Sequence, residues 1–445
     1  MMFKLEEILK ATGAELIKGT VGEESYNIST DTRTVKSGEI YLPLKGASFD
    51  GENFLQNAID AGAAGCFITG KNYPDNAQIV LKVENTLHAY LKIANFYRNK
   101  INPKVVAITG SSGKTTTKEL VYSVVSEKFK AHKTFSNHNN EIGFCQTVLS
   151  MPTDCEVLIV EMGMRGMGEI ELLSKYSEPD FGIITNAGSA HIGRLGSLDN
   201  IAKAKSEIVT GLKSDGTFIS QNNERIKKFA NFDGEKIFYS LEDVEILERN
   251  PSYSKFVYGG EVYELNVEGD YNIENSLAAI NLGLKLGMTY DEIKKGLVAY
   301  KPIEKRWEIE EICGYKVIND SYNANPESMK AAASTFLQLY ENPVLVLGNM
   351  GELGEMEREL HRGVGEYLAK ISPKNAKFLT VGNLAEEIGK PLEDVGLFVK
   401  NFENNDEVSK YILANINAGN TIFLKASRSM KFEEIIEKIK GEVRV

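Results

Sequence analysis

A glycine-rich segment containing a lysine follows an apolar run at residues 105–108, and a helical pattern of apolar residues follows it at 119–129. The segment consists of Thr109, Gly110, Ser111, Ser112, Gly113, Lys114, Thr115 and Thr116. Glycines let backbone N–H groups close on a phosphate, a helix N-terminus adds positive potential, and a lysine and a threonine hydroxyl can serve phosphate and Mg²⁺. The segment therefore predicts a nucleotide-phosphate site, with a plain turn between strand and helix as the alternative.

The spacing of this loop separates it from the common phosphate loop. It reads GxxGKT, whereas the common form reads GxxxxGKT. The shorter spacing disfavours an ordinary GTPase or motor ATPase.

Two polar side chains follow other apolar runs and are candidates for metal binding. Glu161 comes directly after the run at 157–160, and His191 follows the run at 181–185 in a loop of small residues. If both runs are parallel strands, the two side chains lie at the carboxyl edge of a sheet, where ligands of such folds bind. A carboxylate could hold Mg²⁺, and a histidine could be a ligand or a base. The alternatives are a solvated surface acid and a structural histidine.

A lysine on an apolar helical face is the third candidate. Lys205 shares that face with Ile201, Ala204, Ile208 and Leu212. A desolvated lysine has a lowered pKa, and its neutral amine can react with CO₂ to give a carbamate, which is an anionic metal ligand. The alternative is a lysine whose stem lies on apolar surface while its ammonium group stays in water.

The composition excludes several classes of protein. A net charge of -11 disfavours broad binding to nucleic acid, because that affinity comes from clustered Lys and Arg. We find no run of about 18 apolar residues that could span a membrane, and the first 13 residues lack the pattern of an export signal. The four cysteines form no CxxC pair, which fits a reducing compartment. We expect a soluble, cytoplasmic monomer without membrane insertion.

Apolar runs alternating with helical patterns indicate how the chain is organised. At 445 residues the chain is too long for one core, and Asn102-Pro103 breaks the pattern before the phosphate loop. A third alternation has apolar runs at 315–318, 344–347, 378–381 and 421–424. We predict an α/β protein of three domains, at 1–102, 103–305 and 306–445. The central domain would have a doubly wound, mostly parallel sheet carrying the short phosphate loop, and the C-terminal domain would be Rossmann-like.

Five sequence blocks together resemble the Mur ligases over the whole length of the chain. They are STDTR at 29–33 with KG at 45–46 and DG at 50–51, GSSGKTTT at 110–117, EMGMRG at 161–166 continuing to 170, AHIG at 190–193 with Lys205, and DSYNANP at 320–326. The last block, followed by Ser328-Met329, looks like the branch of the family that adds D-alanyl-D-alanine. The short phosphate loop is also that of the Mur ligases and their folate-ligase relatives.

The resemblance implies an ATP-dependent amide ligase. Its Mg²⁺ ligands would be Thr115, Glu161, His191 and a carbamylated Lys205. Further ATP contacts would come from Asn275, Arg306, Asp320 and Tyr322, with Arg306 clamping the terminal phosphate. A surface arginine beside Trp307 is the alternative for Arg306.

The resemblance also implies two further substrates, UDP-N-acetylmuramoyl-tripeptide and D-alanyl-D-alanine. The UDP part would bind the first domain at Thr30, Arg33, Lys45 and Gly46, and hydroxyls with an arginine suit a diphosphate. The rest of the substrate would contact Asn137, Asn139 and Asn140, and Asn325 belongs to the same set. Asn349, Glu352, Lys425 and Arg428 follow C-terminal apolar runs and could face the dipeptide, with solvated loop charges as the alternative.

The expected reaction proceeds through an acyl phosphate of the tripeptide, and closure of the domains would complete the site. We therefore expect the protein alone to be open. Two positions depart from the family pattern: Tyr271 stands where a histidine is usual, and Cys145 where a proline is usual. The open alternatives are a sibling ligase that adds another amino acid, a folylpolyglutamate ligase, and a regulatory ATPase without ligase chemistry.

Overall fold

The computed structural model of the protein describes residues 2–46, 48–302 and 305–442. The strands form four larger sheets that follow one another along the chain, and a small two-stranded ribbon lies in the same part of the chain as the first sheet. Three of them are α/β units, which we call the N-terminal, middle and C-terminal units. Among the described residues, no helix is both long and apolar enough to cross a lipid bilayer.

The N-terminal unit has a five-stranded sheet of order β2-β7-β6-β5-β4, parallel except for β2. Its strands and those of the ribbon are β1 (Phe3–Lys4), β2 (Glu15–Lys18), β3 (Ser25–Tyr26), β4 (Ile28–Ser29), β5 (Ile40–Tyr41), β6 (Gly65–Ile68) and β7 (Ile79–Lys82). Its helices are α1 (Leu5–Thr12), α2 (Leu55–Asp60) and α3 (Thr86–Ile101), with a 3-10 turn at Gly51–Phe54. The apolar stretch at 40–44 forms a strand only as far as Tyr41. Pro43 lacks an N–H for the ladder, and the Leu44 carbonyl instead accepts the Gly51 N–H.

The middle unit contains a six-stranded sheet, all parallel, of order β13-β12-β11-β8-β10-β9. Its strands are β8 (Lys104–Thr109), β9 (Ala131–Lys133), β10 (Val157–Glu161), β11 (Phe181–Ile184), β12 (Thr217–Gln221) and β13 (Glu235–Tyr239). Its helices are α4 (Lys114–Val125), α5 (Glu141–Leu149), α6 (Glu169–Ser177), α7 (Ile192–Leu195), α8 (Leu198–Ser206), α9 (Glu224–Phe229), α10 (Asp270–Lys285) and α11 (Tyr290–Ala299), with 3-10 turns at Glu207–Thr210 and Leu241–Asp243.

Both faces of this central sheet are buried, which explains its continuous apolar runs. In β8, Val105 and Ala107 belong to one hydrophobic cluster, while Val106 and Ile108 belong to another on the opposite face. The predicted doubly wound sheet is therefore confirmed. A separate three-stranded antiparallel sheet, which the apolar pattern did not predict, is formed by β14 (Glu245–Asn250), β15 (Tyr253–Tyr258) and β16 (Glu261–Leu265). The outer strand, β14, is polar and mostly exposed, so it lacks an apolar signal.

The C-terminal unit has a second six-stranded sheet, of order β17-β18-β22-β19-β20-β21, in which only the edge strand β17 is antiparallel. Its strands are β17 (Glu308–Ile312), β18 (Tyr315–Asn319), β19 (Pro343–Gly348), β20 (Lys377–Val381), β21 (Phe398–Phe402) and β22 (Thr421–Lys425). Its helices are α12 (Pro326–Leu339), α13 (Glu357–Ile371), α14 (Glu386–Asp394), α15 (Asn405–Asn415) and α16 (Glu433–Glu442), with 3-10 turns at Gly354–Met356 and Arg428–Met430. Side chains of β19 alternate between two hydrophobic clusters, as in β8.

The predicted α/β class with a parallel central sheet and a Rossmann-like C-terminal unit is confirmed. The first of the predicted domain boundaries falls between α3 and β8, and the second falls between α11 and β17. The assignment of separate functions to the three ranges remains a prediction.

Candidate active site

The phosphate loop lies at the carboxyl end of the central strand β8, and α4 begins at Lys114. The backbone of Gly110 is packed so tightly that a Cβ there would lie 1.8 Å from Oγ1 of Thr185. Gly113 has φ of +75°, and a Cβ there would lie 2.5 Å from Oδ1 of Asn275. Only glycine fits these two positions, because the loop packs against the end of β11 on one side and against α10 on the other.

The side chain of Lys114 folds back over this loop. Its Nζ donates a hydrogen bond to the Gly110 carbonyl at 2.8 Å. Burial lowers its pKa, against the opposing charge of Glu161. A phosphate bound in the loop would place a negative charge beside this ammonium group and favour its protonated form.

An asparagine that the sequence analysis did not single out holds the loop from the side. Asn186 accepts a hydrogen bond from the Ser112 N–H at 3.0 Å and donates from Nδ2 to the Ser112 carbonyl at 3.1 Å. On the other side, Thr117 Oγ1 donates to Oδ1 of Asn275 at 3.3 Å. Asn186 follows β11 directly, and its position after a strand is the signal that could have identified it.

Glu161, at the carboxyl end of β10, presents a carboxylate to the same region. Its Oε1 accepts a hydrogen bond from Asn139 Nδ2 at 3.0 Å. Its Oε2 has no hydrogen-bond partner among the described residues, although Lys118 Nζ lies 3.7 Å away. The residue is only 3% exposed, so this buried oxygen has a free position for a donor or a cation.

Lys205 is buried at the end of α8, and 1% of its surface is exposed. Its pKa lies well below its usual value, first because of burial and second because of the positive charge on Lys114. The expected apolar face is present, since Ile201, Ala204 and Ile208 are fully buried. The helix itself ends at Ser206, and a 3-10 turn carries the face onward.

His191 does not stand free in its loop. It adopts a left-handed conformation with φ of +66° at the start of α7, and its Nδ1 lies 2.6 Å from Oε2 of Glu352 in the C-terminal unit. A second acid of that unit, Glu327 on α12, accepts hydrogen bonds from the N–H and the Oγ of Ser189 at 3.0 and 2.9 Å. Two carboxylates of the C-terminal unit therefore contact the loop 188–193.

The C-terminal unit also reaches the phosphate loop. Arg306 donates from Nη2 to Thr115 Oγ1 at 3.1 Å, and its guanidinium group stacks 4.1 Å from the ring centre of Tyr322. Asn325 caps α12 by accepting the Ser328 N–H, and its Nδ2 donates to the Ser111 carbonyl at 3.4 Å. These contacts hold the middle and C-terminal units together in this structure, and the expectation that the protein alone is open stays a prediction.

These groups surround one cavity of about 1150 Å³ between the middle and C-terminal units. The predicted site residues that line it are Ser111, Ser112, Gly113, Lys114, Thr115, Thr116, Asn137, Asn139, Asn140, Glu161, His191, Lys205, Asn275, Arg306, Asp320, Tyr322 and Asn325. Thr109 lies just beneath the loop, where its Oγ1 donates to the Met162 carbonyl at 2.8 Å. Among the described side chains, no three of the His, Cys, Asp and Glu type are grouped as metal ligands would be.

The four residues predicted for the UDP part of the substrate lie outside this cavity. Arg33 pairs with Asp31 and Lys45 with Asp50, at 2.6 and 3.0 Å, on the surface of the N-terminal unit. Thr30 and Gly46 belong to the same two segments and do not line the cavity either. Their proposed role with the UDP part of the substrate remains a prediction.

The four weaker candidates of the C-terminal unit divide into two pairs. Glu352 and Lys425 line the cavity, whereas Asn349 and Arg428 do not. Oδ1 of Asn349 accepts the backbone N–H groups of Leu384 and Ala385, at 3.1 and 2.8 Å.

Comparison with known proteins gives the class of this protein. The family model described as the Mur ligase middle domain matches residues 108–283, and that described as the Mur ligase, glutamate ligase domain matches residues 305–428. The chain belongs to the Mur ligase family and is an ATP-dependent ligase.

Within the family, the chain is similar to one kind of ligase in particular. It is 37% identical to the UDP-N-acetylmuramoyl-tripeptide–D-alanyl-D-alanine ligase of Bacillus subtilis, over 96% of this chain and 97% of that protein. It is 30% identical to the ligase of the same name from Escherichia coli, over 93% of each chain. A crystal structure of MurF from Acinetobacter baumannii superposes with a TM-score of 0.90, at 28% identity and with 99% of both chains covered.

Proposed function

We propose that this protein joins D-alanyl-D-alanine to UDP-N-acetylmuramoyl-tripeptide with the hydrolysis of ATP to ADP and phosphate. The observation that carries the proposal is the cavity, in which the short phosphate loop faces the DSYNANP segment at 320–326 across a bridge from Arg306 to Thr115. Similarity over the whole chain to ligases of that name supports the choice of substrates.

The chemistry requires activation of a carboxylate, because an unactivated carboxylate does not react with an amine. The terminal carboxylate of the tripeptide attacks the γ-phosphorus of ATP, and ADP leaves. The amine of the dipeptide then attacks the acyl phosphate, loses a proton, and the tetrahedral intermediate expels phosphate to leave an amide. Lys114 and Arg306 stabilise the negative charge on the transferred phosphoryl group.

The residues around the loop fit Mg²⁺. Thr115, Glu161, His191 and Lys205 would hold it, and the free Oε2 of Glu161 offers a position for a cation. Mg²⁺ would neutralise phosphate charge as a Lewis acid. The contact with Glu352 uses Nδ1 of His191, so Nε2 is the ring nitrogen that would act as a ligand, with the carboxylate orienting the ring from the other side.

The buried amine of Lys205 supports carbamylation. Its lowered pKa raises the neutral fraction that reacts with CO₂, and the product would be an anion next to Lys114. We test this step with Lys205→Ala in the presence of short carboxylates, which should restore part of the lost activity. Lys203→Ala, on the exposed side of the same helix, is the control and should keep full activity. A carbamate signal from ¹³C-bicarbonate, absent in Lys205→Ala, is the independent readout.

The three substrates are divided among the three units in this proposal. The N-terminal range 1–102 binds the UDP part through Thr30, Arg33, Lys45 and Gly46. The middle range 103–305 binds ATP, and the asparagine segment formed by Asn137, Asn139 and Asn140 contacts the rest of the UDP substrate. The range 306–445 binds the dipeptide, and closure keeps water from the acyl phosphate.

The experiment is phosphate release from purified protein with Mg-ATP, UDP-N-acetylmuramoyl-tripeptide and D-alanyl-D-alanine, omitting each in turn. Release that needs all three, with a product of the pentapeptide mass, supports the proposal. Release with another amine in place of the dipeptide would indicate a sibling or folylpolyglutamate ligase. Release from ATP alone would indicate a regulatory ATPase.

A further inference from the structure

A buried lysine with no part in the proposed reaction contacts residues next to the active site. Lys118 is on α4, one turn after Thr115, and only 1% of its side-chain surface is exposed. Its neighbours come from three elements that the mechanism needs: the helix of the phosphate loop, the end of β10, and the segment that leads into the asparagine segment.

The first contacts of Lys118 are with backbone. Its Nζ donates to the Thr134 carbonyl at 2.8 Å and to the Ser136 carbonyl at 3.3 Å. Ser136 has φ of +50°, a conformation that a side chain other than that of Gly, Asn or Asp seldom adopts. The ammonium group therefore stabilises a turn at Ser136 that a serine would not favour by itself, immediately before Asn137.

The second contacts are with two carboxylates. Nζ lies 3.3 Å from Oε1 of Glu119 and 3.7 Å from Oε2 of Glu161. A buried ammonium group needs such partners, and the carboxylates in turn need the positive charge. Lys118 thus places a cation near the free oxygen of Glu161 without itself lining the cavity.

The two sets of contacts are connected to each other. Glu161 donates its N–H to Thr134 Oγ1 at 3.0 Å, and its Oε1 accepts from Asn139 at 3.0 Å. The Asn139 carbonyl accepts the Gly163 N–H at 2.8 Å. Moving Lys118 would therefore displace the asparagine segment and the Glu161 carboxylate together, whereas the loop 110–113 is held separately by Asn186 and Asn275.

We infer that Lys118 is a positioning residue, which fixes the asparagine segment and the Glu161 carboxylate relative to the phosphate loop and thereby governs affinity for the UDP-linked substrate. This inference rests on the proposed function for the identity of that substrate. It predicts a separation of two affinities, because nucleotide binding uses the loop and the UDP substrate uses the segment.

The test measures binding by calorimetry, without turnover, for UDP-N-acetylmuramoyl-tripeptide and for ADP. In Lys118→Met we expect the dissociation constant of the UDP substrate to rise at least tenfold, while that of ADP without Mg²⁺ stays within twofold. The matched control is Lys133→Met, which removes the outer partner of Glu119 and leaves Thr134, Ser136 and Glu161 in contact with Lys118. Both affinities should stay within twofold in the control.

A second variant and a second measurement keep the inference testable if Lys118→Met does not fold. Lys118→Gln keeps donors for the carbonyls and removes the charge, so we expect a threefold to tenfold loss for the UDP substrate. Amide hydrogen exchange should become faster at 134–140 and stay unchanged at 105–109 in either variant.

Equal weakening of both ligands, or no change in either, would overturn the inference, because a lysine with only a structural role has no reason to separate them. Wild-type protein that fails to bind the UDP substrate would instead contradict the proposed function.

Discussion

The imidazole of His191 and the carboxylate of Glu352 meet across the junction between the middle and C-terminal units, with 2.6 Å between Nδ1 and Oε2. The contact with His191 holds the pKa of Glu352 below its usual value, and the positive charge of Arg194, 3.6 Å away, acts in the same direction. The backbones are also joined, since the Gly193 N–H donates to the Glu352 carbonyl at 3.1 Å. Glu352 has φ of +63°, a backbone conformation that residues other than glycine seldom adopt.

The first prediction concerns this contact. Glu352→Gln keeps the shape of the side chain and removes the charge that faces His191 and Arg194, so the closed arrangement loses part of its support. We expect kcat/KM to fall about tenfold, equivalent to about 1.4 kcal/mol. Steady-state phosphate release measures it, and Glu355→Gln, at an exposed acid in the 3-10 turn that follows, is the control. Unchanged kcat/KM in Glu352→Gln would show that the contact has no part in assembling the site.

The second prediction concerns Lys425, which the sequence placed opposite the dipeptide. The structure shows its Nζ in contact with the carboxylate of Asp320, and 3.4 Å from the carbonyls of Asp320 and Asn323. Asp320 is the residue expected to contact ATP, and it loses this partner in Lys425→Met. We therefore expect KM for ATP to rise about tenfold and KM for D-alanyl-D-alanine to stay within twofold. Arg428→Gln is the control, because Arg428 is paired with Glu433 on the surface. The opposite result, a change confined to the dipeptide, would restore the interpretation from the sequence.

The phosphate loop and the strands that carry it could be predicted because each depends on local sequence. The runs at 105–108 and 157–160 are continuous and apolar because both faces of the central sheet are covered, and the loop follows directly. The partner of His191 could not be predicted, since Glu352 is 161 positions away and reaches it only through packing of two units. The role of Lys118 could not be predicted for a related reason, since Thr134, Ser136 and Glu161 are distant from it along the chain and its own helix does not mark it as buried.

The third prediction concerns stability at the junction of the N-terminal and middle units. Arg98 on α3 is 1% exposed and lies 2.6 Å from Glu178, which follows α6 and also accepts from Asn95 at 3.0 Å. Glu178→Gln leaves a buried guanidinium group without its counter-charge. We expect the free energy of unfolding in urea to fall by about 1–3 kcal/mol, because Glu178 is partly exposed and solvent screens some of the interaction.

The control for this prediction is an exposed pair on α6 itself. Lys175→Gln breaks the contact of Lys175 with Glu171, both of which are about half exposed. The loss should be below about 0.5 kcal/mol. Equal losses in the two variants would show that burial of Arg98 does not strengthen its ion pair.

The fourth prediction concerns the dependence of stability on pH. His361, fully buried on α13, accepts the Met350 N–H at Nε2 at 2.8 Å, and its Nδ1 contacts the Glu357 carbonyl at 2.6 Å. Burial lowers its pKa below the ordinary value of 6.5, so the folded protein keeps the neutral ring. Protonation would remove the acceptor for Met350, two residues before Glu352.

The sign of the effect follows from the protons bound in each state. Below pH 6.5 the unfolded chain binds a proton at His361 that the folded protein does not, so stability falls as the pH falls and is constant above pH 6.5 with respect to this group. The slope approaches about 1.4 kcal/mol per pH unit for one proton.

His132, whose pKa burial also lowers, contributes in the same direction and provides the matched comparison. Urea unfolding of the wild type, His361→Gln and His132→Gln at pH 5, 6, 7 and 8 should show a smaller slope below pH 6.5 in each variant than in the wild type. Only His361→Gln should also lower kcat/KM at pH 8, because only His361 supports the turn that carries Glu352. A slope in His361→Gln equal to that of the wild type would mean that this histidine takes up its proton without unfolding.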